Sequence, residues 1–248
     1  RFSKIAGSTP VFPKTYYTLA GFNRYRLSVF KAKLATRFVK EWPVGSYLSP
    51  RALAECRIVW KSIESLGRLG VIARALPRAR GVQVIRHPCG FVASQLRGWS
   101  RNQFGEGVPF SEDLDLLRWC VDAAPMAKYQ LSMDKLMALH PIERLAWVWV
   151  AFNEKAYNEI KLLPNCMAMR YEDICHNPLA MFRALFDFCG LSWHAQTEKF
   201  VAASTARNVD RYYSIVKNPI EAARKWRKQM DPEDIERVMN VISRTEIG

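Results

Sequence analysis

Val82-Gln83-Val84-Ile85-Arg86-His87-Pro88, followed by Gly90 and Ser94, is the stretch on which the reading of this chain turns. Residues 82–86 form a short apolar run ending in Arg86, the pattern of a strand buried in a parallel sheet, and residues 91–99 resume helical spacing. Arg86 therefore stands where a strand ends, and Ser94 lies one to two turns into the next helix. Ligands of open α/β sheets bind at that edge. A helix N-terminus offers free N–H groups and partial positive charge, and an Arg side chain grips two phosphate oxygens at once. Arg86 and Ser94 are thus candidates for holding one phosphate between them. The same residues also suit a surface turn and an outer helix face, so both readings stay open on these features alone.

Short apolar segments alternate with amphipathic ones on either side of this stretch, which predicts βα units. Residues 57–63 read as a strand, 65–76 as a helix, and 142–160 as a long helix with Leu145, Trp149, Phe152 and Ala156 on a core-facing stripe. Ser111 is read as a helix N-cap. Residues 166–171 read as another strand, and Asn177-Pro178 opens a helix over 179–189 that Gly190 closes. Asp231-Pro232 repeats the device before a last helix over 235–243. The expected fold is α/β, with helices flanking a mostly parallel sheet, and 248 residues suit one domain.

Lys and Arg number 37 against 23 Asp and Glu, a formal charge of +14 that points to an anionic partner. Scattered basic residues without zinc-finger or RNP-like spacing make nucleic acid an unlikely partner. The six cysteines fall at irregular spacings with no Cys/His cluster, so no metal site is read and free thiols are expected. No apolar run approaches the roughly 20 residues of a transmembrane span, and no signal-peptide pattern is present. Three readings remain open for the amphipathic stretch 15–41: a helix against the sheet, a cover over a substrate cleft, and a basic segment on a membrane surface. A cytoplasmic protein, with peripheral membrane contact left open, is the expectation.

Arg86-x-Pro88 with Ser94 eight residues after the Arg resembles the 3′-phosphate motif of sulfotransferases that use 3′-phosphoadenosine 5′-phosphosulfate (PAPS). Arg170-Tyr171-Glu172-Asp173-Ile174, then Asn177-Pro178 and Phe186-Asp187-Phe188-Cys189-Gly190-Leu191, is similar to that family's strand end and following helix. Trp226-Arg227, shortly before Asp231-Pro232, resembles the closing segment of bacterial and carbohydrate-type members. The resemblance implies a P-loop-NTPase-like parallel sheet with helices on both faces. It implies that Arg86 and Ser94 hold the 3′-phosphate, that Tyr171 lies near the adenosine, and that Trp226 and Arg227 close over the nucleotide. Lys61 matches a Lys that would approach the sulfuryl group. The implied activity moves a sulfuryl group from PAPS to a hydroxyl or amine of a glycan or small metabolite. PAPS is then a co-substrate, and no metal is required.

Two departures stand out. His87 and Cys89 occupy positions where the family pattern has Asp and Arg. No loop for the 5′-phosphosulfate is present: Gly7-Ser8-Thr9-Pro10 lacks a strand before it and a helix after it. That loop and its strand are expected upstream of Arg1 or missing, and a chain without them is expected to be inactive. Sulfuryl transfer needs a general base, and none is assigned. Glu64 suits a solvated helix start better than a base; His140 reads as a helix-start residue, and His176 and His194 look structural. The competing class is a non-catalytic basic module for nucleic acid or sulfated polysaccharide, bound with steep salt dependence. A nucleotide kinase would need a GxxxxGK[ST] loop, which these residues lack.

Overall fold

The computed structural model describes residues 27, 30, 31, 34, 59–63, 66–104, 107–206 and 216–248. The chain divides into two compact units, Arg1–Lys61 and Ser62–Gly248. In the first, Leu27, Phe30, Lys31 and Leu34 are helical and exposed. Gly7-Ser8-Thr9-Pro10, most of 15–41, Cys56 and Glu64 lie outside the described residues.

In the second unit a 3₁₀ turn over Leu66–Arg68 leads into α1 (Leu69–Ala75), β1 (Gly81–Ile85) and α2 (Pro88–Ser100). There follow α3 (Leu114–Asp122), α4 (Met133–Ala138), α5 (Pro141–Ile160) and β2 (Cys166–Arg170). The remaining helices are α6 (Tyr171–His176), α7 (Pro178–Phe188), α8 (Ala195–Thr205), α9 (Pro219–Arg224) and α10 (Pro232–Ile242). The fold is thus mixed and helix-rich, with β1 and β2 paired in parallel from Gly81↔Cys166 to Ile85↔Arg170. This register brings the two carboxyl ends level, so Arg86 and Tyr171 leave the same sheet edge side by side.

α5 carries the core. Its buried residues include Ile142, Leu145, Ala146, Trp147, Val148, Trp149 and Val150, more than one stripe can hold, as expected of a helix surrounded by other elements. Trp149 and Ala156 from the expected stripe are buried, and Phe152 stacks on Trp119 at 4.5 Å. His140 starts the helix as expected: its Nδ1 accepts from Ile142 N at 3.4 Å, and Glu143 accepts from the His140 N–H at 2.9 Å. Gln83 reaches across from β1 and its buried amide nitrogen donates to the Asn153 carbonyl at 3.1 Å, linking strand and helix.

Other boundaries follow local chemistry. α7 ends at Gly190 with φ 61°, where the Leu191 N–H donates to the Phe186 carbonyl at 2.8 Å and the Gly190 N–H to Asp187 at 3.0 Å. Two expectations are corrected. The cap of α3 is Asp113, whose carboxylate accepts from Leu116 N at 3.0 Å. Ser111 is instead inside a turn in which Glu112 and Asp113 donate to the Pro109 carbonyl, so the helix starts two residues later. The strand read over 57–63 is absent at residues 59–63, which have no regular structure. Val59, Trp60 and Ile63 are exposed there, and among the described residues no neighbouring strand pairs with them.

The C-terminal residues are tied to α5 by an ionic knot. Glu154 is 1% exposed; it accepts from the Tyr129 hydroxyl at 2.8 Å and pairs with Lys128, which also reaches Glu246 at 2.6 Å. Replacing Glu154 with Ala leaves the Tyr129 hydroxyl and the Lys128 ammonium without that partner. Urea denaturation is expected to show a loss of about 2 kcal/mol. A loss below about 0.5 kcal/mol, the range of ordinary surface substitutions, would contradict this role.

Candidate functional site

The end of β1 is held from three sides. The indole N–H of Trp149 donates to the Arg86 carbonyl at 2.9 Å, anchoring the backbone to the central helix. The His87 N–H donates to Glu172 Oε1 at 3.1 Å, anchoring it to the first turn of α6. His87 then caps α2, its Nδ1 accepting from the Cys89 N–H at 3.2 Å.

From this turn the Arg86 side chain lies across α2 at Gly90, where a Cβ would stand 2.9 Å from Arg86 Nε. A side chain at position 90 would press on the guanidinium and require it to shift. Its other neighbour is Tyr171, whose ring centroid is 5.3 Å from Arg86 Cζ. Arg86 Nε is buried and has no hydrogen-bond partner, and among the described residues no carboxylate forms an ion pair with this guanidinium. Burial lowers its pKa, and the Tyr171 hydroxyl opposes that shift. Glu172 also acts to raise it, but from beyond ion-pair distance. A charge partly removed from water and without a directly paired carboxylate is costly, so the arrangement favours an anion.

His87, Gly90, Ser94 and Arg97 follow one another at steps of three, four and three, which places them on one stripe of α2. Ser94 is half-buried, and its hydroxyl makes no hydrogen bond to any described residue. Arg97 donates to Gln229 at 2.7 Å. Lys217 belongs to the same electrostatic neighbourhood: its pKa is lowered by burial and then by Arg97, Lys225 and Arg86.

A model of the sulfotransferase family matches residues 14–195. The chain belongs to the sulfotransferase family. No curated protein and no solved structure matches it. The matched stretch includes β1, the α2 stripe and the Arg170-Tyr171 edge, and it ends before Lys217 and Trp226.

Of the residues singled out in this sulfotransferase from its sequence, Arg86 and Tyr171 are in contact, and Ser94 lies on the helix face that Arg86 crosses. Trp226 belongs to a 3₁₀ turn, Lys225–Lys228, and is 8% exposed, within the core. Its indole stacks on the His87 imidazole at 4.4 Å and 16°. Arg227 is exposed, with Cζ 5.0 Å from that indole. Lys61 is exposed in the irregular stretch that ends the first unit, not at the end of a strand.

Sequence reasoning missed Arg97, Lys217 and the part played by His87. The three-residue step from Ser94 to Arg97 was available as a signal. Lys217 had none, because it is brought in by the fold after a long chain excursion. Among the described residues no cluster of His, Cys, Asp and Glu is arranged to hold a metal ion, and no helix is long and apolar enough to cross a membrane.

The His87 pKa is lowered by burial; Glu172 opposes this, while Arg227, Arg170 and Arg86 add to it. The folded state thus prefers the neutral ring that its capping bond requires. The contribution to stability is complete above the ordinary imidazole pKa of about 6.5 and is lost as pH falls through the lower folded value. His87→Asn, which caps without titrating, is expected to flatten the fall in urea midpoint between pH 7.5 and pH 5. An unchanged fall would show that another group is responsible.

Proposed function

We propose that this sulfotransferase takes its sulfuryl group from PAPS, and that Arg86 and Ser94 hold the donor's 3′-phosphate. The observation that carries the reading is the Arg86 guanidinium, ion-paired to no carboxylate among the described residues and laid over Gly90 beside Ser94's stripe of α2. Arg97 and Lys217 add positive charge at the same place. Tyr171, in contact with Arg86, offers an aromatic face with a polar tip toward the adenosine side. Arg227, exposed beside the buried Trp226, is the member of that pair suited to reach the nucleotide. The family resemblance would give Lys61 the sulfuryl group.

The same reading takes residues 1–248 as one sulfotransferase-like domain, with β1 and β2 as two strands of a larger P-loop-NTPase-like sheet. The transfer moves the sulfuryl group in line from the phosphosulfate to a hydroxyl or amine acceptor. This chain's residues bind and orient the leaving bisphosphate and stabilise its charge. Positive side chains suffice for that task.

The test is the melting temperature of the protein with and without 3′,5′-bisphosphoadenosine. Saturation at about 100 times the dissociation constant stabilises the fold by about 2.7 kcal/mol, which is readily seen as a shift. Arg86→Ala is expected to weaken binding by about a hundredfold or more, and Ser94→Ala by about tenfold. Gly90→Ala, whose added Cβ presses on the guanidinium, is expected to weaken binding by less than Arg86→Ala. Binding of the bisphosphate that is indifferent to Arg86→Ala would remove the assignment. Affinity for polyanions alone, falling steeply with salt and untouched by these substitutions, would favour a non-catalytic basic module.

A further inference from the structure

The turn Lys225–Lys228 and the Gln229 that follows it meet the α2 stripe at two places. Trp226 stacks on His87 at the helix cap, and Gln229 accepts from Arg97 about three turns further along. Ser94 and the Arg86 side chain lying over Gly90 fall between those two ties. The turn thus straddles the stretch of helix that carries the candidate phosphate contacts.

The tie at His87 is set by several constraints on one residue. The main-chain N–H is held by Glu172, the ring Nδ1 by Cys89, and Pro88 follows at the first position of α2. With both ends of the residue fixed, the imidazole has one direction to face, and the Trp226 indole lies against it nearly parallel. The indole in turn carries the Arg227 guanidinium on its ring. An Asp at this position would supply the capping acceptor but no ring, so the stack is the property that histidine adds.

We propose that His87 is a positioning residue: its ring docks Trp226 and thereby sets the place of the Lys225–Lys228 turn across the Ser94 stripe. The capping bond orients the ring, and the stack transmits that orientation to Arg227. The ligand consequence rests on the PAPS reading above, whereas the docking itself does not.

Two substitutions separate the ring from the cap. His87→Asn keeps an acceptor for the helix terminus and removes the ring; His87→Phe keeps a ring and removes the acceptor. Two readouts are taken on the folded protein, with melting temperatures as a check. One is the rate of tryptic cleavage after Lys225, Arg227 and Lys228, located by mass spectrometry. The other is the affinity for 3′,5′-bisphosphoadenosine.

His87→Asn is expected to speed cleavage at these sites by roughly three- to tenfold and to weaken the nucleotide by a similar factor, the range of one aromatic pair. His87→Phe should restore most of both. Equal cleavage rates in the two variants would overturn the proposal, as would an unchanged rate in His87→Asn. Should cleavage divide as expected while the unaltered protein fails to bind the bisphosphate, the PAPS reading falls and the docking role of His87 stands.

Discussion

A guanidinium at the carboxyl edge of a parallel strand, with an aromatic ring beside it and, among the described residues, no carboxylate ion-paired to it, is the constraint around which this site is arranged. Holding that charge partly out of water works against folding, and Arg97 and Lys217 nearby add to the repulsion. The structure tolerates the arrangement because the backbone beneath it is fixed by neutral contacts. Trp149 holds the Arg86 carbonyl, and the absent side chain at Gly90 leaves room for the guanidinium.

The core and the site are linked through α5. Asn153 receives Gln83 from the middle of β1, and Trp149, one turn earlier on the helix, receives the carbonyl that follows the strand. One helix face thus fixes both the position of the strand and the point at which it ends. The parallel register with β2 then carries Tyr171 to the neighbouring position, so two residues 85 apart in sequence meet without a dedicated loop. The ionic knot of Glu154 with Lys128 and Tyr129 secures the same helix on its far side and brings in the C-terminal residues.

The sequence was most legible where chemistry is local. The strand before Arg86, the helix after it, the Asn177-Pro178 start and the Gly190 stop each depend on residues within a few positions, and each lies within three residues of its expected place. That Arg86 follows a strand and Ser94 lies on the helix after it was legible because strand end and helix stripe are both short-range patterns. Long-range encounters were not. Lys217 and Gln229 reach α2 only through the packing of α9 and the turn after it. The stack of Trp226 on His87 was not legible either, because it depends on a side chain at which this chain departs from the family pattern. Residues 57–63 show the opposite failure: β-forming side chains imitate a strand, but without a paired neighbour residues 59–63 have no regular structure.

The most direct test is a calorimetric cycle that crosses one ligand group with one side chain. Dissociation constants of 3′,5′-bisphosphoadenosine and 5′-AMP are measured for the unaltered protein and for Arg86→Ala. If Arg86 receives the 3′-phosphate, the unaltered protein should prefer the bisphosphate by about a hundredfold, and the substitution should remove nearly all of that preference. A preference of the same size in both proteins would place the 3′-phosphate elsewhere and contradict the account at its centre.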